Sequence, residues 1–158
     1  MSSDLATLAK TALIEELEKL RYEVRTLTEP LTEKEFWTKP LDPGNSVGHL
    51  VLHLTGNLNH FVGAQLGGTG YVRDREREFT ETNVPPKKDT LQQFDEAVAL
   101  FRTVVSGLTA EQLAAPHPEV RFGKVLNALL HLVTHFALHR GQMTYIVRLS
   151  ILEGKHGS

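Results

Sequence analysis

KVLNALLHLVTHFALHRGQMTYIVRLSIL, residues 124 to 152, carries apolar side chains on nearly every side of a helical projection. It has no period-two alternation and runs much longer than a strand. It predicts a helix from about Phe122 to Leu152 that is buried on most sides. A helix of that kind needs partners, and three other segments have the pattern to provide them.

The first, about Ser3 to Thr28, sets Leu5, Leu8, Ala12, Leu13, Leu17, Leu20 and Val24 on one side, the spacing of a buried stripe. The second runs from about Ser46 to Leu66, after the turn residues Asp42-Pro43-Gly44-Asn45. The third begins at Thr90, where Thr-Leu-Gln-Gln reads as a capping box, and ends near Gly107. The expected fold is all-α, a four-helix bundle, with residues 1–158 forming one domain.

An internal echo supports this. Leu31-Thr32-Glu33-Lys34-Glu35-Phe36 follows the first helix and Leu108-Thr109-Ala110-Glu111-Gln112-Leu113 follows the third, each with a capping box and each leading to a proline, Pro40 or Pro116. SVGHLVLHL (46 to 54) then parallels KVLNALLHL (124 to 132), so the chain reads as two related helix pairs packed around a shared axis. Between helices two and three lies GGTGYVRDREREFTETNVPPKKD, 67 to 89, with no strong period. A connection that long is a crossover or a functional segment, and it would let helices two and three run parallel. Within it RDREREF, 73 to 79, is either a solvated turn or a set of arginines folded back over a pocket.

Composition narrows the function classes. A formal net charge of −2 excludes a general footprint for nucleic acid or acidic membranes. No apolar run approaches the roughly 18 residues of a membrane span, and MSSDLATLAKTALIEELEKL reads as an amphipathic helix, not a signal peptide. The chain has no cysteine, which removes disulfides, zinc–cysteine sites and cysteine nucleophiles. A cytoplasmic address is expected. The polar EGKHGS end is expected to fray, and His156 is given no role.

The eight histidines are not scattered. Chance gives roughly 0.4 pairs at i,i+4 for this composition. The chain has 49/53, 131/135 and 135/139, each pair on one helix face. Helix two offers His49, His53, Asn57 and His60; helix four offers His131, His135, His139 and Gln142. Imidazoles at i,i+4 can chelate one ion, and a third from another helix leaves an open position, a set suited to Zn, Ni, Cu or Fe. A histidine acid–base cluster and a structural role fit the spacing as well.

SVGHLVLHLTGN together with HxxxHRGQ at 135 to 142 resembles the DinB-like superfamily, over the chain as far as about Leu152, and YVRDREREF is similar to a branch of it. The resemblance implies a four-helix bundle with a long crossover, often dimeric, so a homodimer is expected. It also implies a divalent metal, commonly nickel or zinc, on three histidines. Position by position these are His53, in Leu52-His53-Leu54-Thr55, and the pair His135 and His139 before Arg140-Gly141-Gln142. His49 and His131 become supporting or core residues, with Gln142 beside the ligands and Arg140 pairing with a carboxylate that orients the site. Gly141 costs a helix interior about 1 kcal/mol against Ala, so close packing of another helix is expected there.

Characterised relatives include transferases that join small thiols such as bacillithiol or mycothiol to electrophiles, and a thiol-dependent isomerase. The resemblance thus points to a metal-dependent thiol transferase, with Arg73, Arg75 and Arg77 as candidates for an anionic substrate group. A metal-dependent hydrolase and a non-catalytic, stress-associated metal-binding protein are the alternatives.

Overall fold

The computed structural model describes residues 2–156; the end of the polar terminus and the side chain of His156 lie outside the described part. Among the described residues seven α-helices follow in order: α1 (Ser2–Thr28), α2 (Glu33–Trp37), α3 (Val47–Leu58), α4 (Arg77–Thr80), α5 (Lys87–Gly107), α6 (Ala110–Ala114) and α7 (Val125–His156). Among the described residues there is no strand, only an isolated bridge between Pro116 and Lys124. None of these helices is long and apolar enough to cross a membrane.

The four long helices α1, α3, α5 and α7 form the bundle, and side-chain pairings give their directions. Lys10 of α1 donates to the carbonyls of Ser106 and Leu108 at the end of α5, and Lys87 at the start of α5 donates to those of Glu29 and Leu31. α1 and α5 are therefore antiparallel. Gly63 faces Leu100 and Gly67 faces Val104, so α3 and α5 advance together. Phe61 packs on Phe122 while His53 meets His135 further along, which makes α3 and α7 antiparallel. The order is up, down, down, up, with the crossover between α3 and α5 carrying the chain back to the starting end.

The core is one continuous cluster from all four helices, with Leu17, Leu50, Phe94, Phe101 and Phe136 buried. Both echoed capping boxes form: Thr32 caps α2 with Glu35 reaching back, and Thr109 caps α6 with Gln112 doing so. Ser46 caps α3 by accepting from the His49 N–H.

Four details depart from the sequence reading. α5 starts at Lys87 with Pro86 at its cap, so Thr90 lies within the first turn and bonds back to the Pro86 carbonyl, not forward as a cap. Leu5, Leu8 and Ala12 of α1 are exposed, and the buried stripe of this helix begins at Leu13. α7 keeps an open apolar face at Leu130, Leu138 and Tyr145, since a corner helix of a bundle has neighbours on only part of its circumference. No helix packs on Gly141: a Cβ there would meet nothing within 4 Å.

Candidate metal centre

The second helix does not continue as regular α-helix to Leu66. Residues Asn59–Ala64 form a π-helical turn, with Gln65 N–H donating to His60 and Gly67 N–H to Val62. His60 lies in this turn, is not one of the clustered imidazoles, and lines a separate groove with Phe61 and Arg73. Its Nδ1 is buried with no hydrogen-bond partner among the described residues.

α3 and α7 bring three imidazoles together across the bundle. His135 Nε2 lies 2.9 Å from His53 Nε2 and 3.1 Å from His139 Nε2. One ring nitrogen from each of the three lies within 4.8 Å of the others. His53 and His139 are buried and His135 half-buried.

The outer nitrogens set the tautomers. His53 Nδ1 donates to Glu78 Oε2 at 2.9 Å, and His139 Nδ1 to Gln142 Oε1 at 2.7 Å. In its neutral form each of those rings carries its proton on Nδ1, which leaves Nε2 as a bare lone pair aimed at the centre. Burial first, then the neighbouring imidazoles, push His135 down to about 4, so it is neutral at pH 7. Burial likewise holds His139 below its ordinary value, against the opposing bond to Gln142. Asn57 Nδ2 sits 3.2 Å from His53 Nε2, at the edge of the same centre.

Glu78 is held as carefully as the histidine it faces. Arg73 grips it in a fork, Nε to Oε1 at 2.7 Å and an Nη to Oε2 at 2.8 Å. Burial alone would raise the carboxyl, but Arg73 and His53 outweigh it and keep Glu78 below its ordinary value. Gly56 on α3 makes room for it: a Cβ there would overlap the Glu78 carboxylate. Phe79, next in the chain, lays its ring against His53 with centroids 4.7 Å apart.

The other sequence candidates fall elsewhere. His49 has both nitrogens engaged, Nδ1 with the Ser46 hydroxyl at 2.6 Å and Nε2 with the Glu81 carbonyl at 2.9 Å, so it ties the crossover to α3. His131 is exposed, not in the core, and stacks on His135 at 5.9 Å, because four residues back along α7 is already the rim. Arg140 pairs with Glu23 of α1 and not with a carboxylate of the site. Arg75 lies over Phe79, and Arg77 pairs with Glu81 on the exposed side of α4. RDREREF is thus divided: Arg73, Glu78 and Phe79 turn inward and Arg77 outward. The sequence allows Glu78 as a local partner for these arginines, but nothing in it marks the bond from His53 to Glu78 or the parts played by Gly56 and Phe79. Arg73 and Glu78 are five residues apart in an irregular segment, where no period flags a pair.

This bundle, with its up–down–down–up order and histidines on the second and last long helices, is that of the DinB-like superfamily. Within it, the family profile described as mycothiol S-transferase matches residues 12–151, and the chain belongs to that family. Two solved structures share the fold. YfiT from Bacillus subtilis, described as a probable metal-dependent hydrolase with an unusual four-helix bundle topology, superposes with TM-score 0.70 at 22% identity, over 88% of this chain and 86% of its own. A DinB-like protein from Bacillus cereus superposes with TM-score 0.68 at 17% identity, over 87% of this chain and 90% of its own. No curated protein matches the sequence.

Proposed function

We propose that the protein is a divalent-metal-dependent transferase that joins a small thiol to an electrophile, with His53, His135 and His139 as the metal ligands. The observation that carries the reading is the convergence of two Nε2 lone pairs, fixed by Glu78 and Gln142, on the third imidazole. Nitrogens at about 2.0–2.1 Å from a tetrahedral ion are roughly 3.3 Å apart, close to the spacings found here. Three neutral imidazoles and no sulfur suit nickel or zinc. A divalent ion bound there would supply a Lewis acid that lowers the pKa of a coordinated thiol or water.

The chain's own residues do the rest. Glu78 keeps the His53 proton on Nδ1 and makes that ring a stronger donor at Nε2; Gln142 does the same for His139. Arg73 neutralises Glu78, so the carboxylate adds no net charge to the pocket. Phe79 screens the His53 side from water. The protein has no cysteine, so the thiol must come as a substrate, in line with the family to which the chain belongs.

Elemental analysis of the purified protein, followed by consumption of a thiol with a chloro-dinitrobenzene, tests this. Metal-dependent loss of thiol is expected. Turnover without thiol would favour hydrolysis instead, the activity suggested for YfiT. Metal loss that lowers stability with no reaction to lose would favour a structural site. For assembly we propose a homodimer covering Leu138 and Tyr145, exposed on α7, with sedimentation of Tyr145→Glu as the check.

A further inference from the structure

Beside the histidine centre the π-turn, the crossover and the 3₁₀ turn Val120–Phe122 enclose a groove of about 580 Å³. His60, Tyr71, Arg73, Arg75, Glu119 and Arg121 are among its lining residues. Arg73 belongs to both places, with an Nη 3.3 Å from His53 Nδ1. The opposite wall is continuous with the centre too: Phe61 packs on Phe122, Phe122 on His131, and His131 on His135.

The cations of this groove differ in how they are used. Arg73 is consumed by Glu78. Arg121 is held over two rings, with its guanidinium carbon 5.3 Å from the Phe61 centroid and 4.7 Å from that of Phe122. Its only ion pair among the described residues is a loose one to Glu119 at 3.6 Å. Arg75 lies 5.8 Å over Phe79 and has no ion pair among the described residues. The groove is lined by three arginines and one carboxylate, Glu119; with Arg73 neutralised by Glu78 from outside the groove, these groups leave a net of +1. Burial first, then Arg73, hold the His60 imidazole below its ordinary value, so it adds no charge near neutrality. A planar guanidinium already stacked on an aromatic ring loses little freedom when it forms a forked bond to a carboxylate.

We propose that Arg75 and Arg121 bind the carboxylate of the small molecule presented to the histidine centre, so that the protein selects anionic over neutral substrates. This deepens the transferase reading and rests on it for the destination of the ligand. The carboxylate can arrive on the thiol or on the electrophile, and Arg77, which the sequence groups with Arg75, takes no part. Arg121 supplies the donor that the RDREREF segment lacks, from a different part of the chain.

The test is isothermal titration of metal-free protein at low ionic strength, which separates the groove from any metal chemistry. Two acids serve as probes, N-acetylcysteine and a chloro-dinitrobenzoate, each against its own methyl ester. At least one acid should bind roughly tenfold tighter than its ester, and Arg75→Gln with Arg121→Gln should erase that preference. Lys88→Gln, an exposed charge at the start of α5, should leave it intact. The acid that responds identifies which substrate carries the carboxylate. Both residues are exposed, so the variants are expected to fold, and unchanged helicity by circular dichroism checks it. Equal binding of acids and esters by the native protein, or a preference that survives the double variant, overturns the proposal. If the groove behaves as expected but metal-loaded protein consumes no thiol, the transferase reading fails and the anion site stands.

Discussion

Glu78 Oε2 lies 2.9 Å from His53 Nδ1, although 25 residues and a helix boundary separate them in the chain. The crossover thus reaches back to α3 to fix one ring of the centre, and Arg73 fixes the crossover's carboxylate in turn. The segment that gives the bundle its parallel pair of helices also completes its site.

Removing one partner of this buried pair should cost more than removing a surface ion pair. The Arg73 and Glu78 side chains are only 9% and 7% exposed. Arg73→Ala is expected to destabilise by about 3–5 kcal/mol, because it leaves a buried carboxylate uncompensated. Glu78→Gln should retain folded protein but weaken metal binding about 10–100-fold, since the His53 proton is no longer held by a charge. Arg77→Gln removes a solvent-exposed cation from Glu81 and should cost less than Arg73→Ala, because water can replace the lost charge on that side. Urea midpoints and competition with a chromophoric chelator measure all three.

His135→Ala and His139→Ala should each abolish stoichiometric metal binding, because two imidazoles form only a weak pair. His131→Ala should keep the metal, since His131 touches the centre only by stacking on His135. His49→Ala should also keep it while costing stability, because it strands the Glu81 carbonyl and the Ser46 hydroxyl. Metal content by mass spectrometry, beside thermal melts of the metal-free proteins, separates ligand loss from destabilisation. A full equivalent of metal on His135→Ala would exclude it as a ligand.

A periodic pattern in the sequence carries most of the fold. The long helices follow from apolar spacing, and α2 and α6 from the Thr32–Glu35 and Thr109–Gln112 boxes. Two histidine faces are legible in the sequence, the family resemblance points to His53, His135 and His139 among them, and those three lie together in the structure. Three things had no local signal. The π-turn at Asn59–Ala64, where Gly63 closes on Leu100 of α5, involves long-range packing that no local pattern announces. The division of RDREREF into inward and outward charges depends on the space left by Gly56. The open face of α7 depends on the number of neighbours, and an all-round apolar helix looks the same in sequence whether its last face meets another helix or solvent.

Two glycines of similar sequence context should respond in opposite directions to alanine. Gly56→Ala drives a Cβ into the Glu78 carboxylate, so it is expected to cost about 1–3 kcal/mol and to lower metal affinity with it. Gly141→Ala meets nothing within 4 Å and removes backbone freedom from the unfolded chain, so it should stabilise α7 by up to about 1 kcal/mol. Denaturant unfolding of both variants, free of metal, gives the comparison. Destabilisation by Gly141→Ala would mean that another surface packs against this position in solution.

The last expectation concerns acid. Burial, then the charges that neighbouring imidazoles would acquire, hold His135 at about 4 in the folded state against 6.5 ordinarily, and His139 is shifted in the same direction. The unfolded chain then binds more protons than the folded one between those values, so metal-free stability must rise with pH across that window. The contribution is fully present above about pH 6.5, falls as pH drops towards about 4, and is constant below. Its size from His135 is on the order of 3 kcal/mol. His135→Gln removes the titrating group and should flatten this part of the profile, whereas His131→Gln should leave most of the slope in place. Urea midpoints of the three metal-free proteins measured from about pH 4 to about pH 8 provide the check. An equal slope in His135→Gln and the native protein would place the acid sensitivity outside the histidine centre.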